Sequence, residues 1–162
     1  MKILLTNDDG IGASGLRALF DSVRSAFGES TDVTVVAPDR GRSECGHGVT
    51  TGKPLSVEEI SEGWIAVGGT PVDCIRVALT SLVPDVDVVL SGVNAGANLG
   101  VDLLVSGTFA AAREASLHGI AAMAISHYRR PEIARTWDHV PSWLSATLEE
   151  FVDAKSKSAD SQ

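Results

Sequence analysis

Short apolar runs alternate along this chain with longer amphipathic segments. Four runs are almost continuously apolar, as strands buried on both faces of a sheet are: residues 2–6, 32–37, 86–90 and 120–126. Helical spacing of hydrophobic residues predicts four helices: residues 13–27, 70–82, 106–118 and 139–154. Strands that alternate with helices indicate right-handed βαβ units, so we expect a three-layer α/β fold with a mainly parallel sheet and helices on both faces.

Local signals add a hairpin and a helix start. Residues 54–60 and 64–67 are strand-like runs separated by Ser-Glu-Gly, which predicts an antiparallel hairpin. Thr70 suits a helix N-cap, Pro71 suits the first helical position, and Asp73 occupies the capping-box position.

The helix predicted near the C-terminus carries an apolar stripe and ends in a polar segment. The stripe consists of Val140, Leu144, Thr147, Leu148, Phe151 and Val152. We expect residues 1–154 to form a single domain and residues 155–162 to form a polar, frayed tail. At 162 residues, with 44% hydrophobic and 21% charged residues, the chain has the composition of an ordinary globular domain.

The charge balance argues against some partners. Lys and Arg number 13 against 21 Asp and Glu, for a net charge of −8, so we expect no binding to nucleic-acid duplexes. No secretory signal is visible, and the most apolar segment, residues 119–126, is too short to span a bilayer, so we expect no membrane association. Cys45 and Cys74 are too few for a disulfide framework, which favours a cytoplasmic protein.

Three predicted loops follow strands and contain many glycines and small oxygen-bearing side chains: residues 7–15, 39–52 and 91–108. Because ligands bind beyond the carboxyl ends of parallel strands, these loops should converge on one crevice. The adjacent carboxylates of Asp8 and Asp9 repel each other unless a cation compensates their charge. Mg²⁺, Mn²⁺ and Ca²⁺ favour such all-oxygen surroundings. The simpler alternative is that one Asp caps the next helix and the other is solvated.

Neutral polar residues in the other two loops extend this candidate site. Ser43, Asn94 and Asn98 are candidate oxygen ligands or substrate contacts, although serine and asparagine are also common in turns. Ser106-Gly107-Thr108 at a helix start offers free N–H groups and a favourable dipole to a phosphate, with a plain N-cap as the alternative. His47, in the second loop, is a candidate substrate contact.

Two other kinds of site are weaker alternatives. Residues 10–15 read Gly-Ile-Gly-Ala-Ser-Gly, and Asp39 lies near the end of the second strand, which matches the spacing of dinucleotide-binding oxidoreductases. That assignment would place a pyrophosphate directly beside Asp8 and Asp9. A phosphatase with an aspartyl nucleophile in a D-x-D arrangement is disfavoured, because Gly10 occupies the second place after Asp8.

Five motifs, in this order, resemble those of the SurE family, the stationary-phase survival proteins that act as 5′/3′-nucleotidases. They are ILLTNDDG at residues 3–10, VVAPDR with RS at 35–43, GTPVDC at 69–74, SGVNAGANLG at 91–100 and SGT at 106–108. The resemblance covers about residues 1–126 and implies a Rossmann-like α/β fold. It also implies an enzyme that removes phosphate from nucleoside 5′- and 3′-monophosphates.

The resemblance also implies roles for individual residues. One divalent metal ion per chain, Mg²⁺ or Mn²⁺ with Ca²⁺ as an alternative occupant in crystals, would be held by Asp8, Asp9, Ser43 and Asn94. The catalytic residues would be Asp8 and Asp9. Phosphate or substrate would contact Asn7, Asn98, Ser106, Gly107 and Thr108.

The chain also departs from the family. After Ser43 the family usually continues with small Ser, Ala and Asn residues, whereas Glu44-Cys45-Gly46-His47-Gly48 stands here. Family members are usually longer, with a C-terminal portion that builds a dimer or tetramer and borders the active site, so a homo-oligomer is an open expectation. The prediction is a metal-dependent phosphatase, with a non-catalytic nucleotide-binding or regulatory module as the alternative.

Overall fold

The computed structural model describes residues 1–128, 132 and 136–159. Within them six strands form one sheet: β1 (Lys2–Thr6), β2 (Asp32–Pro38), β3 (Val57–Ser61), β4 (Trp64–Val67), β5 (Val88–Asn94) and β6 (Ala121–Ser126). Four α-helices accompany the sheet: α1 (Ser14–Phe27), α2 (Pro71–Val77), α3 (Gly107–Leu117) and α4 (Val140–Ala159). A π-helical turn, Ala78–Leu82, continues α2, and a 3₁₀-helical turn, Gly100–Leu104, precedes α3.

The sheet is mainly parallel, as predicted. Its strand order is β3-β4-β2-β1-β5-β6, and β3 alone of these strands runs antiparallel to its neighbour, through the predicted hairpin with β4. The carboxyl ends of β2, β1 and β5 therefore lie side by side near the middle of one edge.

Helices cover both faces of the sheet, which confirms the three-layer α/β fold. Successive residues of β1 face opposite sides, so Ile3 and Leu5 pack with α1 and α4, whereas Leu4 packs with α2 and α3. The side chains buried on each face form a hydrophobic cluster that is mostly aliphatic and almost fully excluded from solvent. Among the described residues, no helix is long and apolar enough to cross a membrane.

The third buried strand is longer than predicted. We expected a strand over residues 86–90 and a loop from residue 91, but β5 spans Val88–Asn94. Ser91 pairs with Thr6 of β1 and with Ala124 of β6, so neighbours on both sides extend the strand through residues of poor strand propensity.

The C-terminal prediction was also partly wrong. Helix α4 continues through Ala159, where a frayed tail was expected from residue 155, and residues 160–162 lie outside the described part of the chain. Lys155 Nζ lies 3.4 Å from Asp87 Oδ1, a contact that holds this part of the helix against the start of β5. On the predicted stripe, Val140, Leu144 and Leu148 are buried but Thr147 is exposed.

Candidate functional site

A tight turn follows β1 and presents the two adjacent carboxylates. Asn7 Nδ2 donates to the Gly10 carbonyl oxygen at 2.9 Å, and Gly10 N donates back to Asn7 Oδ1 at 3.2 Å. Asn7 is only 1% exposed. The side chain predicted to contact phosphate or substrate thus builds the turn that carries Asp8 and Asp9.

Asp8 lies against the start of α3. Thr108 Oγ1 donates a hydrogen bond of 2.6 Å to Asp8 Oδ1, and the Asp8 side chain is almost wholly buried. Burial raises the pKa of Asp8, the hydrogen bond from the Thr108 hydroxyl opposes that rise, and the charge of Asp9 adds to it. The site therefore holds a carboxylate whose negative charge lacks full compensation within the protein.

Asp9 reaches towards the end of β5. Its Oδ2 accepts a hydrogen bond of 3.3 Å from the backbone N–H of Ala95. The neighbouring Asn94 donates from Nδ2 to the Gly96 carbonyl oxygen at 3.0 Å. That bond uses the amide nitrogen of Asn94, so its Oδ1 atom is the one that could coordinate a metal ion. The predicted ligands Asp9 and Asn94 therefore come from adjacent strands to neighbouring positions.

The loop after β2 packs against the same turn. Arg42 N donates to the Asp8 carbonyl oxygen at 2.7 Å, and the backbone of Arg40 lies against Gly10. Gly10 has φ +99°, a conformation that glycine adopts without strain. Ser43, the predicted neutral ligand, follows Arg42 directly and is exposed, one residue away from the contact with Asp8.

The start of α3 completes the arrangement. Ser106 Oγ accepts from Phe109 N at 3.1 Å, so this hydroxyl acts as the N-cap. The next residue, Gly107, lies so close to Asp8 that an added Cβ would stand 2.7 Å from the Asp8 Cβ. At this helix start the N–H groups of Gly107 and Thr108 lack carbonyl partners within the helix, and the Thr108 N–H already faces the Asp8 carboxylate.

Two buried hydroxyls lie on the same side of the sheet as Asp8. Thr6 and Ser91 are register partners on β1 and β5, and both are fully buried. Neither Thr6 Oγ1 nor Ser91 Oγ has a hydrogen-bond partner among the described residues. Buried polar atoms without partners are uncommon in folded proteins and mark this strand end as a polar site within an apolar sheet.

Asn98 lies to one side of this group. Its Nδ2 donates to Ser126 Oγ at the end of β6, at 2.7 Å. Asn98 and Ser106 share the wall of a cavity of about 620 Å³. Apolar and aromatic residues form most of the rest of that wall, among them Leu99, Leu103, Phe109, Met123 and Tyr128. The cavity thus adjoins the start of α3, and neither Asp8 nor Asp9 is among its lining residues.

The donor set fits a hard divalent cation. No cluster of three or more His, Cys, Asp or Glu side chains suited to a metal occurs in the part of the chain that the structure describes. Two carboxylates beside neutral amide and hydroxyl oxygens are instead the ligand types that Mg²⁺ and Mn²⁺ take. The excess negative charge at Asp8 provides the electrostatic reason for a cation there.

Sequence reasoning missed a group of charged residues behind the site loop. Glu114 of α3 is 2% exposed, and its carboxylate contacts Arg76 of α2, His118 at the C-cap of α3 and His47 of the loop. His47 was predicted to contact substrate, but the structure directs its ring to Glu114. Residues 67 positions apart form this contact, and no local pattern reports it.

A second buried carboxylate anchors the far end of the same loop. Asp73 closes the predicted capping box with Thr70 and also accepts from Thr50 N at 2.9 Å and Thr50 Oγ1 at 2.6 Å. Burial raises the pKa of Asp73, but the hydrogen bonds from Thr50 and Thr70 outweigh it and hold the pKa below its usual value. The helix cap therefore fixes the loop as well as the helix.

We expect Asp73→Ala to lower the free energy of unfolding by about 2–3 kcal/mol, because it leaves partly buried donors of Thr50 and Thr70 without their acceptor. Since the folded-state pKa is lowered, the stabilisation by ionised Asp73 is fully present above the unfolded-state pKa, near about 4. It disappears as the pH falls through the lower folded-state pKa. Urea unfolding of wild type and Asp73→Asn should show a stability gap at neutral pH that closes in acid. A gap that persists unchanged at about pH 3 would contradict this assignment.

Two glycines of the pattern that suggested dinucleotide binding are required for close backbone packing in this fold. Gly10 allows the turn to meet Arg40, and Gly15 lets α1 approach the backbone of Val93 in β5, where a Cβ would clash. These close approaches account for the first and third glycines without a ligand.

Comparison with known proteins yields one family. The profile of the family described as "Survival protein SurE" matches residues 3–161. A relative from Nostoc sp. is 48% identical over 152 residues, which cover 94% of this chain and 65% of the relative. "5'-nucleotidase SurE" of Treponema pallidum is 52% identical over 128 residues, 78% of this chain and 68% of the relative.

A solved structure of the same family has a similar fold. The crystal structure of the SurE protein from Aquifex aeolicus superposes with a TM-score of 0.84 at 33% sequence identity, over 94% of this chain and 60% of that one. The chain spans between about half and two thirds of the length of the curated relatives it matches.

Proposed function

This chain belongs to the SurE family, and from that premise we propose that it is a 5′-nucleotidase that releases phosphate from nucleoside monophosphates with one divalent metal ion. The observation that carries the proposal is the position of Asp8. Its buried carboxylate meets Thr108 at a helix N-terminus, with Asp9 beside it and Asn94 close to Asp9. An acidic pair and a helix start at one place suit a cation and a phosphate together.

The metal ion, Mg²⁺ or Mn²⁺ with Ca²⁺ as an alternative occupant, would be held by Asp8, Asp9, Ser43 and Asn94. When bound, it supplies charge neutralisation at the phosphate and orientation of the attacking water. A carboxylate and a phosphate would otherwise repel each other at the α3 start, so a cation between them would favour binding of the substrate.

The protein groups have distinct tasks in this scheme. Thr108 Oγ1 fixes the rotamer of Asp8, and Ala95 N orients Asp9. Backbone N–H groups of Gly107 and Thr108 would bind phosphate oxygens and stabilise the charge that develops on them during hydrolysis. The Gly107 N–H lacks a carbonyl partner within the helix, whereas the Thr108 N–H would exchange the Asp8 carboxylate for the phosphate.

The cavity beside Ser106 would receive the nucleoside. Its volume of about 620 Å³ lies within the range of small-molecule sites. The aromatic rings of Phe109 and Tyr128 offer apolar surface to a base, and Asn98 offers an amide to the polar part of the ligand. Such a cavity supports a nucleotide substrate, from which a 5′- or a 3′-phosphate would reach the same helix start.

The test is phosphate release from AMP with Mn²⁺ or Mg²⁺, with and without EDTA, by wild type and by Asp9→Asn. We expect release by the wild type with metal and at least a hundredfold less in the other three cases, about the contribution of a charge-stabilising group in such sites. Equal release in all four samples would exclude the metal mechanism.

A second candidate is a non-catalytic nucleotide-binding or regulatory module. The observation that favours it is the exposed position of Ser43, one of the four expected metal ligands. It predicts that calorimetry detects AMP binding without phosphate release. The free thiols of Cys45 and Cys74 fit the cytoplasmic location expected for either function.

A further inference from the structure

A buried carboxylate behind the site loop joins three parts of the fold. The Oε1 atom of Glu114 accepts from Arg76 Nε at 2.6 Å, and its Oε2 lies 2.7 Å from His47 Nε2. His118 Nε2 lies 3.3 Å from Oε1. A carboxylate that is 2% exposed needs such partners, since an unpaired buried charge is strongly unfavourable. Glu114 is therefore the point where the loop, α2 and α3 meet.

The hydrogen bonds of His47 fix its protonation form. Arg113 Nε donates to His47 Nδ1 at 3.0 Å, and an arginine nitrogen can only donate. His47 Nδ1 must therefore be the unprotonated acceptor, and Nε2 carries the hydrogen that is donated to Glu114 Oε2. Both ring nitrogens of His47 are engaged by α3, which leaves neither for a substrate.

His47 belongs to the loop that borders the candidate site. Upstream of it, Arg42 N contacts the Asp8 carbonyl and Gly46 N donates to the Val105 carbonyl oxygen at 2.9 Å. Between these contacts lies Cys45, whose Sγ faces Gly107. The side chain of His47 ties this stretch laterally to α3, the helix whose start carries the proposed phosphate contacts.

We propose that His47 and Glu114 are positioning residues that dock the loop of residues 42–48 onto α3 and so place Ser43 beside Asp8. The catalytic consequence rests on the proposed function, whereas the docking itself is a property of the free protein. Loss of the His47 bonds should let the loop leave α3 without unfolding the domain, because the sheet and both cores stay intact.

Three variants separate this role from general stabilisation. His47→Leu removes both hydrogen bonds. His47→Gln retains a donor and an acceptor at nearly the spacing of the two ring nitrogens and should restore docking. His118→Leu is the matched control, since it also removes a histidine from Glu114 but one that caps the end of α3 and does not belong to the loop.

The two cysteines report loop position and global unfolding separately. Cys45 lies in the loop and is partly exposed, whereas Cys74 lies on α2 and is fully buried in the core. Modification of native, metal-free protein by a chromogenic disulfide reagent should be at least about tenfold faster at Cys45 in His47→Leu, since the loss of even one of its two hydrogen bonds accounts for about a factor of ten. Cys74 should stay unreactive in every variant, and Cys45→Ser assigns the signal.

Activity provides the second measurement. With AMP and Mn²⁺, kcat/KM should fall about tenfold in His47→Leu and remain at the wild-type level in His47→Gln and His118→Leu. A wild type without phosphate release would defeat the proposed function and leave the thiol result standing. Equal Cys45 rates in wild type and His47→Leu, no rescue by glutamine, an equal effect of His118→Leu, or joint exposure of Cys74 would each overturn the positioning role.

Discussion

We expect Asp8→Asn to abolish phosphate release from AMP, with kcat lowered by about a thousandfold or more. The amide keeps the size of the side chain and can still accept from Thr108 Oγ1, but it removes the charge that would hold the cation. The measurement is initial rate under saturating Mn²⁺ and AMP. Asp102→Asn is the matched control, because Asp102 is an exposed carboxylate in the 3₁₀ turn before α3 and should behave as wild type.

The same variant should not lose stability. Burial and the charge of Asp9 raise the pKa of Asp8, which means that its ionised form is less favourable in the folded protein than in the unfolded chain. A neutral amide relieves that penalty at pH 7, so thermal unfolding in EDTA should occur at the wild-type temperature or above it. Retention of more than about a tenth of the activity, or a lower unfolding temperature, would contradict the assignment of Asp8.

Gly107→Ala should have the second largest effect, although alanine is intrinsically the better helix former by about 1 kcal/mol. The new Cβ would stand 2.7 Å from Asp8 Cβ and 3.1 Å from both Asp8 Oδ2 and Cys45 Sγ. The helix start must then move away from the turn after β1. We expect a loss of about 1–3 kcal/mol in unfolding free energy and at least a hundredfold fall in kcat/KM, measured by urea unfolding and by phosphate release.

Gly12→Ala is the control for this change. A Cβ at Gly12 meets no atom within 4 Å, and its backbone needs no positive φ. Stability and activity should equal those of wild type there. A Gly107→Ala variant that behaves like Gly12→Ala would show that the α3 start does not need to touch Asp8.

The layered fold could be predicted because its strands are buried on both faces and are therefore apolar throughout. β1 and β4 have the predicted bounds, and β2 is one residue longer. β5 was cut short at residue 90 because Ser91, Gly92 and Asn94 are poor strand formers, and only pairing with β1 and β6 keeps them extended. Helix α4 was ended too early because polar sequence at a chain end resembles a tail.

The site was predictable as far as the strand-end rule reaches. It placed Asp8, Asp9 and Asn94 at one edge of the sheet, next to the start of α3. It could not identify the bond from Thr108 to Asp8, which joins residues 100 positions apart. Nor could it assign His47 to Glu114, since a buried carboxylate within an alanine-rich helix shows no partner in its local pattern.

The anchoring of the site loop by two buried carboxylates, Glu114 at His47 and Asp73 at Thr50, also makes it a unit for protein engineering. The two anchoring contacts are made by His47 and Thr50, whereas Ser43 and Glu44 precede them in the chain and are exposed. A loop sequence taken from a relative should adopt the same backbone conformation if it keeps both anchoring contacts. New side chains could then be presented to the ligand without redesign of the scaffold.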